Sequence, residues 1–147
     1  MASYTQLYLH CVWATWDRLP LIIAEVETPL YTVIAEKCRE FSCIPMAIGG
    51  VDDHIHVLVR LAPTIAVARL IGEIKGASSH AVTHAIRPTH FFKWQRSYGA
   101  FTISQRSVSR VCAYILAQKT HHAHSTLINA LEYCADPDNT PNTSAAT

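Results

Sequence analysis

A chain of 147 residues, half of them hydrophobic, is long enough for one compact domain and too short for two comfortable ones. The five cysteines, Cys11, Cys38, Cys43, Cys112 and Cys134, are odd in number and form no CxxC pair, which argues against a disulfide framework or a zinc-finger spacing and leaves buried, reduced thiols. No stretch approaches the ~20 apolar residues of a membrane helix, and "MASYTQLYLHCVW" lacks a basic flank before an apolar core, so neither a membrane span nor a signal peptide is read and the expected location is cytoplasmic.

Residues 4–16 alternate and are rich in Tyr, Leu, Val and Trp, which predicts a first strand closed by a turn at "DRLP". Thr28 and Pro29 supply an N-cap and a first-turn proline, and Leu30, Val33, Ile34, Cys38 and Phe41 lie on one helical face, so a helix is expected over 28–42. "CIPMAIGGV" reads as a short strand whose proline suggests an edge or a bulge, and Gly49-Gly50 before Asp52-Asp53 reads as turn chemistry. A strand over 54–61 completes a hairpin. Pro63-Thr64 opens a second helix with Val67, Leu70, Ile71 and Ile74 on its apolar face, ending before Arg87-Pro88. An aromatic loop leads into a strand near 98–104, Ser107 can cap a third helix over 108–122, and a short helix is expected over 125–134. The order β, α, β, β, α, β, α fits an α+β fold, a ferredoxin-like antiparallel sheet with helices on one face plus an added C-terminal helix. One domain over 1–134 and a disordered tail over 135–147, polar and proline-containing, are expected.

The net charge of +1 conceals segregation: residues 1–59 carry a net −4, residues 60–119 a net +8 and the remainder −3. A basic middle is what a phosphate-binding face would look like, with a solvated surface as the plainer reading.

The candidate chemistry begins in "DHIHVLVRL". On a strand His54 and His56 share one face, about 7 Å apart along the backbone, while Ile55 and Val57 take the other. Two imidazoles on one face can converge on a divalent cation, although a bare His-x-His is more often a packing or surface feature. In the third helix Val108, Val111, Cys112 and Ile115 make the apolar side, and Arg110, Tyr114, Gln118 and His121 are expected within about 40° of one line on the other, as an exposed stripe. A tyrosine is a competent nucleophile toward phosphorus once its phenol, pKa ~10, is activated.

Together, "VDDHIHVLVRL", "LIGEIKGASS", "WQRSYGAF" and "YILAQKTHH" resemble, in order and spacing, the single-tyrosine HUH transposases of the insertion sequence 200/605 family, including the repeat-associated tyrosine transposases. The resemblance spans Tyr4 to His122. It implies a divalent metal, Mg or Mn, held by His54, His56 and Gln118, and attack by Tyr114 on single-stranded DNA to form a 5′-phosphotyrosine and free a 3′-hydroxyl. It also implies recognition of DNA hairpins and a homodimer whose active sites are shared between subunits. Lys75, Arg96, Arg110 and His121 are candidate DNA contacts; Trp94, Tyr98 and Phe101 are candidates for base stacking or core, and His10 is read as structural or surface. One departure stands near the first strand, where the family often has Thr-Lys-x-Arg and this chain has Thr15, Trp16, Asp17 and Arg18. Two other functions fit the same residues: a noncatalytic nucleic-acid-binding relative, and a metal-dependent phosphoesterase using water.

Overall fold

The computed structural model describes residues 3–120. The seven regular elements are β1 (Tyr8–Ala14), α1 (Ala24–Glu40), β2 (Ile44–Gly50), β3 (His54–Arg60), α2 (Val67–Ala81), β4 (Gly99–Ile103) and α3 (Val108–Leu116). The strands form one sheet in the order β2-β3-β1-β4, every neighbouring pair antiparallel. This is the expected ferredoxin-like arrangement.

Alternation divides the sheet into two faces. Leu9, Cys11 and Trp13 of β1 and Ile55, Val57 and Val59 of β3 face α1 and α2 and form the main core. From α1 come Val26, Leu30, Ile34 and Cys38, one residue every fourth position, and from α2 Leu70, Ile71 and Ile74. Burying each such aliphatic side chain contributes about 1.5–3 kcal/mol. The opposite face is covered by α3, whose Val111 and Ile115 pack on Ala47 and Leu58. Trp94 belongs to the main core, edge-on to Trp13 at 5.8 Å between centroids, with its indole N–H donated to Ser78 Oγ at 2.9 Å. Tyr98 packs at the border of that core.

The proline in β2 marks both things it suggested: β2 is an edge strand, and its register slips between Pro45 and Ala47. The first strand is shorter than the expected 4–16, running over Tyr8–Ala14, and three helix boundaries differ from expectation. First, α1 starts at Ala24, a turn before Thr28, so Pro29 lies inside it and Ile23 is an N-cap without a side-chain bond. Burial of Ile22 and Val26, with Glu25 and Glu27 in the first turn, outweighs the local Thr-Pro signal. At its far end Ser42 adopts φ 60°, and the Ser42 and Cys43 amides bond back to Arg39 and Cys38 carbonyls, closing the helix without glycine. Second, α2 begins at Val67, after Pro63-Thr64, and continues as a π-helical turn over Val82–Ile86. Third, α3 is interrupted at Ala117 (φ −98°, ψ 18°), not continuous to 122. The short helix over 125–134 and the tail lie outside the described residues.

Gly49 and Gly50 are not turn residues. Both close β2, neither has positive φ, and each sits where another backbone passes too near for a side chain. A Cβ on Gly50 would meet the carbonyl oxygen of His54, and one on Gly49 would meet the carbonyl oxygen of Ile115 in α3. Gly49 is therefore a position at which the backbone of the third helix comes against the backbone of the sheet.

Candidate active site

The face under α3 carries His10 and Val12 from β1 and His54, His56 and Leu58 from β3; register sets His10 opposite Leu58 and Val12 opposite His56. His54 and His56 stand edge-to-face with centroids 5.2 Å apart, and both are buried. The expected sharing of one face is met.

Each histidine has a partner on its Nδ1 side. His54 Nδ1–H donates to Asp53 Oδ1 at 2.7 Å, which places the lone pair of the neutral ring on Nε2. His56 Nδ1 lies 2.9 Å from His10 Nε2, the two rings stacked at 5.1 Å. Burial by itself would raise the Asp53 carboxyl, but the hydrogen bond from His54 and the Arg18 guanidinium 3.5 Å away outweigh it and hold Asp53 below the usual carboxylate range. Carboxylate and imidazole partners of this kind fix ring orientation at metal-binding histidines. Sequence reasoning missed both, assigning His10 to structure or surface and Asp53 to a turn. The Asp-His adjacency was visible, but His10 is recognisable only through the β1–β3 register.

Tyr114 reaches this cluster in the same chain, its ring edge-on to His56 at 6.2 Å. The expectation of an exposed stripe is corrected: Tyr114 is 4 % and Gln118 1 % exposed, whereas Arg110 is exposed. Val111, Tyr114, Ile115 and Gln118, at i, i+3, i+4 and i+7, form the buried stripe. After Ala117 the chain is pinned by Lys119, whose Nζ lies 2.6 Å from Glu27 Oε1 of α1. Among the described residues no group of three or more His, Cys, Asp or Glu is arranged to hold a metal ion together.

The remaining candidates fall elsewhere. Lys75 Nζ donates to the carbonyls of Gln95 (2.5 Å) and Ser97 (3.1 Å), tying α2 to the segment before β4. With exposed Arg96 it borders an open groove of about 470 Å³ that also takes in Lys93 and Tyr98. Phe101 is half-buried against His10 at 6.0 Å. His121 lies outside the described residues. Where the family pattern has lysine, the Trp16 ring here carries the ammonium of Lys93 3.8 Å from its centroid.

The sheet order and the His-x-His face under a tyrosine-bearing helix define a class, a small α+β domain of ferredoxin-like topology with a candidate metal centre. The family model described as "Transposase IS200 like" matches residues 3–118, and the chain belongs to that family. It is 24 % identical over 119 residues to the ISDra2 transposase TnpA of Deinococcus radiodurans, covering 77 % of this chain and 84 % of that one. Among solved structures, a Deinococcus radiodurans R1 protein assigned as a transposase superposes with a TM-score of 0.63 at 22 % identity, over 78 % of this chain and 93 % of that one. A REP-associated tyrosine transposase bound to a REP hairpin gives 0.61 at 16 % identity, over 86 % and 76 %. These two structural likenesses speak to the fold.

Proposed function

We propose that this transposase-family chain cleaves and rejoins single-stranded DNA at hairpin-bearing ends through Tyr114. The observation that carries the reading is the contact between the Tyr114 ring and His56 within one chain. In the proposed step the Tyr114 phenolic oxygen attacks a phosphodiester phosphorus and loses its proton. A Tyr–O–P bond forms, the P–O3′ bond breaks, and the departing 3′ oxygen gains a proton. The DNA is left with a 5′-phosphotyrosine and a free 3′-hydroxyl, and attack by a 3′-hydroxyl on that linkage reverses the step, so no nucleotide is hydrolysed.

His54 and His56, oriented by Asp53 and His10, with Gln118, are the residues proposed to hold Mg or Mn. The donor set fits such an ion: two neutral imidazoles on one face and an amide on the stripe that carries Tyr114. When bound, the ion would supply Lewis-acid polarisation of a phosphoryl oxygen. Within one chain Tyr114 already meets His56, so a site shared between subunits is not required for this pair to form.

One observation favours the noncatalytic alternative. A phenol 4 % exposed is placed as a packing residue would be. The two are separated by incubating the protein with hairpin-bearing single-stranded DNA and Mn²⁺ and looking for a denaturation-resistant adduct. The catalytic reading expects an adduct in the wild type and none in Tyr114→Phe; DNA binding without an adduct across varied sequences supports the alternative.

A further inference from the structure

The chain leaves β1 through an unusual corner. Asp17 and Arg18 both adopt left-handed backbone, φ 53° and 50°, a conformation that costs roughly 1–2 kcal/mol per non-glycine residue. Around them Thr15 Oγ1 donates to the Leu19 carbonyl at 2.6 Å, the Thr15 amide to the Asp53 carbonyl at 2.9 Å, and Arg18 pairs with Asp53. The corner is thus tied directly to the residue that orients His54, and Trp16 stands within it, between Thr15 and Arg18. Trp16 is 38 % exposed, the only tryptophan of three on the surface, since Trp13 and Trp94 are buried. Its amide donates to the Lys93 carbonyl at 2.9 Å, and the Lys93 ammonium lies over the ring. An exposed cation–π pair is worth only about 0.5–1 kcal/mol, less than an indole would gain by burial, so folding alone gives little reason for a tryptophan here. From Lys93 the surface continues into the groove bordered by Arg96 and Lys75.

From this geometry we infer that Trp16 and Lys93 form a subsite for single-stranded DNA flanking the scissile phosphate. One nucleobase stacks on the indole while the ammonium meets an adjacent phosphate, and the strand continues toward Arg96. Aromatic stacking with a neighbouring cation suits unpaired strands without regard to sequence. A duplex stem, whose bases are already stacked, gains nothing from it. The inference rests on the proposal that the chain processes single-stranded DNA, but it is read from binding and not from cleavage.

The test uses the full chain, a fluorescein-labelled hairpin with an oligothymidine extension, and the same hairpin blunt. Trp16→Ala should weaken the extended probe roughly tenfold and leave the blunt probe unchanged, while Trp16→Phe should retain most of the affinity. Lys93→Ala should lower the salt dependence for the extended probe by about one ion. In the wild type, tryptophan emission should be quenched by the extended probe and not by the blunt one, a readout that requires no variant to fold. Equal binding of the two probes by wild type, or unchanged extended-probe binding by Trp16→Ala, would overturn the subsite. Absence of the Tyr114 adduct with the extension preference intact would sink only the catalytic proposal.

Discussion

Replacing Gly49 by alanine places a methyl group between β2 and α3. Its carbon would lie 3.0 Å from the Ile115 carbonyl carbon and 3.2 Å from Ile115 Cγ2, and nearer still to the carbonyl oxygen. Ordinary carbon contacts are about 3.5–4.0 Å, so α3 must retreat by roughly 1 Å. Backbone lies on both sides, and no rotamer change relieves the clash. Overpacking of this kind typically costs about 1–3 kcal/mol, here through loosening of Val111 and Ile115 on Ala47 and Leu58. The larger effect is on geometry, because Tyr114 rides on the same helix and a shift of about 1 Å at a reacting group can lower a rate ~100-fold. Gly49→Ala should therefore denature at lower urea concentration yet remain folded, and form the covalent DNA adduct about a hundredfold more slowly in single-turnover assays. An adduct rate within twofold of wild type would refute the reasoning. A faster rate would show that the docked helix is a resting arrangement.

Two further outcomes are expected. Asp53→Asn and His10→Ala should each weaken Mn²⁺ binding by roughly 10–100-fold, measured by electron paramagnetic resonance of the free ion; unchanged affinity would show that neither partner orients a ligand. Burial pushes the Cys38 thiol up to about 12 and Cys11 higher still, and neighbouring thiols add to both. The unfolded chain thus ionises first, and stability should be full below about pH 9 and decline as pH rises toward 12. Urea denaturation across pH 8 to 10.5 checks this, and the slope should flatten in a Cys11→Ala/Cys38→Ala variant; an identical slope would contradict the assignment.

The sheet and the histidine face were legible because β-alternation is local: His54, His56, Ile55 and Val57 declare their two faces within four residues. The proline in β2 carried its edge and its bulge for the same reason. What pairs across strands was not legible, and so His10 became a site residue only once β1 lay beside β3. The error on α3 had a different origin. Tyr114 and Gln118 were placed opposite the apolar side of the helix, yet Val111, Tyr114, Ile115 and Gln118 keep helical spacing toward the sheet, and on that stripe Tyr114 meets the His56 imidazole. Gly49 gave no local sign of its role, since the backbone it admits is sixty-six residues away at Ile115.

The most direct measurement is the location of the bond to DNA. Trypsin cuts after Arg110 and Lys119, releasing "VCAYILAQK", whose one tyrosine is Tyr114. After reaction with hairpin-bearing single-stranded DNA and nuclease trimming, mass spectrometry should find the nucleotide phosphate on that peptide alone. Attachment to any other peptide, or an adduct that persists in Tyr114→Phe, would contradict Tyr114 as the nucleophile.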